Sequence, residues 1–322
     1  MNEMLTFFIG SYTEYPIPDF GGIGHGISTV QLNTETAELR TLHKEMTRNP
    51  SYLALSDDHQ FLYCLTELDE SENPQVRAYR INTDFSLEFL NEQHISGGYP
   101  CHLAIHQNSV LVACYATGNI LQFELDASGK LLEAKKEYRH KGTGSNVGRQ
   151  EGPHVHQVAI HPNKRDIYVC DLGIDMLKAY EIKKGELISN TAKDCKVTEG
   201  GGPRHMVFNR EGSLAYVLKE LTGAVSVLQK KEDVFKEIRT YPSLPDDFMK
   251  VPSASAIRLH PTGTYLYAAN RVLEAISIFM IFENRLRLIE HQFTKGQELR
   301  EFNISPDGKW LIACHQNSHD VV

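Results

Sequence analysis

His156, Arg204, Glu220, Arg271, Arg300 and Glu67 stand at the ends of runs such as LAYVL and YLYAA, whose own residues are apolar. Charged side chains in such places are not core filler, because ionisable groups enter a core only when paired. Arginines gathered at one place suit a carboxylate or a phosphate, since the guanidinium donates in a fork that matches both. A histidine and a carboxylate among them supply groups that move a proton near neutral pH. The set could therefore hold an anion and do acid–base work, provided that the fold brings its members together.

The elements that must position them are repeats. An apolar run, a short turn and a second apolar run ending in a polar residue recur at 51–67, 101–115, 156–172, 204–220, 255–271 and 300–316. Successive copies start 50, 55, 48, 51 and 45 residues apart, and a lone copy of the second run, FFIGSYT, lies at 7–13. Further alternating runs fill the intervals: AVSVLQ (224–229) before FKEIRTY (235–241), and SIFMIFE (277–283) before RLRLIEHQF (285–293). A period of about 50 residues holding about four short strands is that of a β-propeller blade. The expected fold class is all-β, a seven-bladed β-propeller of four-stranded antiparallel blades forming a single domain over 1–322. The absence of a convincing helical stripe excludes an α/β fold. The last repeat reaches Val322 where its third strand would begin, so the last blade reads as incomplete, with roughly 25 further residues needed to finish the ring.

Alignment of the repeats shows which residues share a place. Ser51 to Glu67, His156 to Leu172, Arg204 to Glu220, Ser255 to Arg271 and Arg300 to Gln316 are all 16 apart, while Cys101 to Tyr115 is 14, as a turn two residues shorter requires. One set opens each innermost strand and the other closes the next strand, with Tyr12 joining from the lone copy. Antiparallel strands joined by a tight turn put the start of one beside the end of the other. Both sets should thus face one end of the channel. The segment GTGSNVGRQEGPHVHQ (142–157) departs most from the repeat, and function tends to sit on such insertions. It brings Arg149, Gln150, His154 and His156. His154 and His156 share one face of an extended chain, but no third ligand stands at a compatible spacing, so no metal is expected.

Composition narrows the partners. With 33 Lys+Arg against 41 Asp+Glu the formal charge is −8, which argues against nucleic acid or an anionic membrane as the main partner. The N-terminus has no basic region, and Leu5 to Ile9 is far shorter than the roughly 18 residues of a membrane span. The chain therefore reads as unexported and cytoplasmic. Six cysteines without a CxxC pair, four of them inside strand-like runs, read as buried reduced thiols.

At these residues the chain resembles the lactonase family of seven-bladed propellers, which includes 6-phosphogluconolactonases and carboxy-muconate lactonising enzymes. The resemblance covers nearly the whole chain and rests on GSYT (10–13), YPCHLAI (99–105), RQEGPHVH (149–156), VCDLGID (169–175), GGPRHMVF (201–208) and AIRLHPTGTYLYAANR (256–271). RQEGPHVH and GGPRH are the specific motifs. The resemblance implies that a histidine, two arginines and a glutamate at the channel mouth carry lactone chemistry, and by motif they are His156, Arg204, Glu220 and Arg271. It implies hydrolysis of a sugar lactone, 6-phosphogluconolactone first, without a cofactor. Arg204 and Arg271 would hold the substrate's anionic group or the developing oxyanion, and His156 or Glu220 would be the base. Arg149, Gln150, His154, Arg300, Glu67 and Tyr115 are further substrate contacts. Cys114, Lys219, His315 and Val272 depart from the family pattern and are expected to line or flank the pocket. The alternatives are a muconate cycloisomerase and a non-catalytic interaction platform.

Overall fold

Tight turns set the architecture, and two histidines show how. In the turn after Val155–Ile160, His161 Nδ1 accepts the Asn163 N–H at 3.1 Å, which leaves Nε2 to donate to the Gly212 carbonyl at 2.8 Å. His260 repeats the device, accepting from the Thr262 N–H at 3.2 Å and reaching the Gly308 carbonyl at 3.1 Å. Each histidine therefore closes its own turn and fastens it to a turn of the next sheet. Both receiving glycines have positive φ, +69° at Gly212 and +73° at Gly308, and a Cβ there would lie 2.4 and 2.5 Å from the imidazoles. Only glycine meets both demands.

The computed structural model describes residues 4–18 and 20–322. It comprises two compact units, one ending at Arg139 and one running from His140 to Val322. The first holds a three-stranded antiparallel sheet (Met4–Gly10, Ile27–Asn33, Leu39–Glu45) and two four-stranded ones in meander order. The second holds a sheet of four strands in meander order, which Cys195–Lys196 joins as a fifth. Two regular four-stranded sheets and the pair Leu299–Ile304 with Leu311–His315 complete it. The expected strands at 224–229, 235–241, 277–283 and 285–293 fall within Ala224–Lys231, Val234–Pro242, Ala275–Phe282 and Arg285–Phe293. The only helices among the described residues are three short 3₁₀ turns, none long or apolar enough to cross a membrane.

Burial holds neighbouring sheets together. Tyr168, Cys170, Met206, Ala215, Val217 and Phe235 form one apolar cluster between adjacent sheets of the second unit, with Phe208 against it. All six cysteines are free thiols, and five are buried. Burial pushes Cys64 up to about 12, so that thiol is inert at neutral pH.

The feature that builds the site is a bulge. In the second unit the first strands of successive sheets lie side by side. In each, pairing slips near the second residue: between Val155 and Gln157, Pro203 and His205, Ala254 and Ile257, and Leu299 and Glu301. The residues inside the slips include His156, Arg204, Ser255 and Arg300, the set that repeat alignment selects. A bulge leaves its extra residue out of the ladder and re-aims its side chain.

Candidate active site

Each second strand of the second unit ends one residue before a member of the other set. The backbone N–H of Leu172, Glu220, Arg271 and Gln316 donates to the carbonyl two positions before the bulge residue: His154 (2.9 Å), Gly202 (2.8 Å), Ser253 (2.9 Å) and Glu298 (3.0 Å). One repeated bond thus brings both sets to the same end of each sheet of the second unit, as their spacing of 16 requires.

Glu220 is the centre. Its side chain is buried, with Oε2 3.0 Å from Arg204 Nε and 3.4 Å from Arg271 Nη2, and Oε1 accepting from Arg149 Nη2 at 2.7 Å. Burial alone would raise its pKa, but the charges of Arg271, Arg204, His156 and Arg149 hold it well below the usual carboxylate range. Arg204 Nη1 donates to the Ser255 carbonyl on the neighbouring inner strand, and to His205 Nε2 at 3.3 Å. Burial and the nearby charges of Arg271 and Arg300 push Arg204 down to about 10, so it stays cationic at neutral pH. Its contacts use Nε and Nη1, leaving the donors of Nη2 for an incoming oxygen. Arg271 Nη1 donates to Ser253 Oγ at 2.6 Å, and its Nε lies 3.7 Å from Glu298.

His156 lies buried beside them, its ring 5.2 Å from that of His205 and at 74° to it. Burial is the largest cause that lowers its pKa well below the ordinary value, and Arg204, Arg300 and Arg271 act in the same sense against Glu220. The imidazole is therefore neutral at pH 7 and available to accept a proton.

The structure thus brings together His156, Arg204, Glu220, Arg271 and Arg149, with Arg300 acting on them through its charge. Gln150 does other work. Buried, it accepts from the Asn146 N–H at 3.0 Å and donates to the Leu172 carbonyl at 2.8 Å, closing the loop that carries Arg149. His154 pairs its ring with Glu151 at 3.0 Å and donates its N–H to Asp171 at 2.8 Å, an anchor of the same loop. Asp171 is in turn bonded to His140 at 2.6 Å. Glu67 and Tyr115 belong to the first unit, where they follow second strands as expected, and Glu67 accepts from Tyr12 Oη at 2.6 Å.

Three of the departures from the family pattern sit differently from the expectation that they line or flank the pocket. Lys219 is buried and donates to Glu237 (3.2 Å) and Thr240 (3.1 Å) on the sheet's outermost strand. His315 bonds Thr294 at 2.8 Å and pairs with Asp320, and Cys114 is fully buried among apolar residues. Side chains alternate along a strand, so Lys219 turns away from the side that Glu220 takes and ties the second strand to the outermost one.

Sequence reasoning missed His205, Ser253 and Glu298. The signal was present: Ser253 and Glu298 both stand two residues before a bulge position, a third aligned set, and His205 lies inside GGPRH.

Gly173 shows how tightly the loop is seated. A Cβ there would lie 1.8 Å from the Gly152 carbonyl oxygen. Gly173→Ala should displace the 149–154 segment and cost about 1–3 kcal/mol. An unchanged denaturation midpoint would show that the loop yields freely.

The geometry agrees with what this chain is similar to. A family model described as "Lactonase, 7-bladed beta-propeller" matches residues 6–322. The chain is 31% identical to a Bacillus subtilis 6-phosphogluconolactonase over 98% of its own length and 89% of that protein's. A Formosa agariphila 6-phosphogluconolactonase is 28% identical, over 98% of this chain and 90% of that one. A crystal structure from Bacteroides fragilis superposes with a TM-score of 0.91 at 31% identity, over 99% of this chain and 89% of that one. The periplasmic gluconolactonase of Pseudomonas aeruginosa, 24% identical over 99% of this chain and 91% of its own, shares the fold with a TM-score of 0.91. The fold is an all-β propeller of four-stranded antiparallel blades.

Proposed function

Since this chain belongs to the family of lactonase, 7-bladed beta-propellers, we propose that it hydrolyses an anionic sugar lactone, 6-phosphogluconolactone first among them, at the cluster around Glu220. The chain is a lactone hydrolase of the kind its relatives are named for. The observation that carries the substrate class is charge. Arg149, Arg204 and Arg271 share one buried carboxylate, so the cluster holds more positive charge than it neutralises.

In this reading neutral His156 takes a proton from water as the water oxygen bonds to the lactone carbonyl carbon. The carbonyl oxygen becomes an oxyanion facing Arg204 Nη2, where a fixed donor stabilises charge as it forms. The bond from that carbon to the ring oxygen then breaks, and the imidazolium returns its proton to the leaving oxygen. One water is consumed, and the product acid ionises to release a proton. Glu220 remains an anion throughout: it aims the arginines and steadies the imidazolium. Both of its oxygens already face arginines, which makes it the poorer base and favours His156 where the sequence left both open. Arg300 completes the charge around the histidine. We propose seven blades in a single domain over 1–322, with the three-stranded and two-stranded sheets taken as blades. A cytoplasmic location fits six cysteines without a disulfide.

A substrate panel tests the assignment. Phosphorylated sugar lactone should exceed its unphosphorylated counterpart in kcat/KM by at least about tenfold, and a dicarboxylic muconate should not turn over. Equal rates for the two lactones would remove the anionic class. The pH profile tests the base: the acid limb of kcat/KM should fall below pH 6.5, the ordinary histidine value. Arg300→Met should move that limb upward, because losing a neighbouring positive charge favours protonated His156. A limb that moves downward or stays put would exclude His156 as the titrating group.

A further inference from the structure

The three arginines that hold Glu220 are not equivalent. Arg204 and Arg271 come from strand ends, and their side chains are 3% and 10% exposed; Arg149 comes from the loop and is 45% exposed. It also holds its own oxygen, Oε1, while the other two approach Oε2. Glu298 lies 3.7 Å from Arg271 Nε, Glu301 acts on Arg204 while it is paired with Arg258, and Arg300 adds positive charge on the histidine side. An arginine half in water, on a carboxylate that already has two other cationic partners, is the member an anion can most readily recruit.

We propose that Arg149 is an exchangeable clamp: in the free protein it holds Glu220 Oε1, and the anionic group of the substrate draws it away, so that anion binding and release of that oxygen are one event. The turnover part rests on the lactonase reading, whereas the binding part does not. A phosphate offers several acceptor oxygens and nearly two negative charges, and a guanidinium meets it in a fork. The Arg149 side of the pair is open to water and screened, so a dianion can compete for it. Once Arg149 has left, Oε1 can accept a hydrogen bond from a sugar hydroxyl or from the attacking water. A neutral lactone brings no anion and meets the clamped site. Phosphate binding and Glu220 release are then linked, and linkage is reciprocal.

The probe is inorganic phosphate supplied separately from an unphosphorylated sugar lactone, with the non-enzymic rate at each phosphate concentration subtracted. Phosphate should accelerate the protein's turnover of the neutral lactone by about five- to a hundredfold. Arg149→Ala, whose Glu220 is permanently released, should turn the neutral lactone over faster than wild type without phosphate and should ignore added phosphate. Phosphate that only inhibits wild type, or an Arg149→Ala variant that phosphate still activates, would overturn the clamp.

The exchange is also read without turnover. In protein labelled with ¹³C at the glutamate carboxyls, the Glu220 signal, identified by its loss in Glu220→Gln, should shift as phosphate is added. It should stand near the shifted position in Arg149→Ala from the start. Calorimetry should show phosphate binding Arg149→Ala at least about tenfold more weakly than wild type. An unmoved Glu220 signal, or equal phosphate affinity, would overturn the proposal even if no lactone is hydrolysed. Absence of turnover on every lactone with these binding results intact would instead remove the lactonase reading and leave the clamp.

Discussion

Arg204→Ala should lower kcat on the phosphorylated lactone by about a thousandfold, the upper range for loss of one preorganised donor to an oxyanion. Its guanidinium links Glu220, the Ser255 carbonyl and His205, and has Nη2 left for the substrate. Arg204→Lys should recover little, because an ammonium is a point charge that cannot serve a fork of acceptors. The loss should fall on kcat more than on KM, since Arg149 and Arg271 still attract the anion. Far-ultraviolet circular dichroism should show the β-sheet signal of wild type, because the blades are held by ladders and apolar clusters away from this residue. A folded Arg204→Ala protein with full activity would sink the assignment.

Glu220→Gln should have the largest effect on stability. The substitution leaves Arg204 buried without its paired carboxylate and Arg271 with Glu298 at 3.7 Å as its remaining one, which costs about 3–5 kcal/mol. Chemical denaturation read as a midpoint shift should show it, and combining the change with Arg271→Gln should restore part of the loss, because the residues share one network. The pH dependence has a definite sign. Glu220 has a folded pKa below its unfolded value, so its contribution is present above the ordinary carboxylate range and is lost as pH falls through and below it. The gap in stability between wild type and Glu220→Gln should therefore close as the solution is acidified below about pH 4. A gap that stays constant down to acid would mean that Glu220 carries no linked stability.

What could be read from the sequence was the part that repeats. The separation of 16 between aligned positions reflects a real backbone bond, from the residue after each second strand to the carbonyl two before the bulge. It therefore brought out Glu220 and Arg271 together with His156 and Arg204. The bulges themselves were hidden, since an extra residue in one strand changes no local composition. They are nonetheless what turns His156 and Arg204 out of the ladder. The loop at 142–157 stood out as irregular, but only in the folded chain does Gln150 become its internal fastener while its neighbour Arg149 reaches Glu220. Lys219 was misplaced for a related reason: its role depends on Glu237, a partner 18 residues away on the outermost strand, and no spacing rule connects them. The choice between His156 and Glu220 as base is likewise a matter of surroundings, because burial and three arginines act on the two groups in ways that residue type alone does not state.

The most direct test of the central claim is proton release on mixing freshly prepared 6-phosphogluconolactone with the protein, followed by stopped flow at neutral pH. The account predicts a saturable acceleration far above spontaneous hydrolysis, absent with Arg204→Ala at the same concentration. A rate equal to the spontaneous one, with folded protein at saturating substrate, would contradict it.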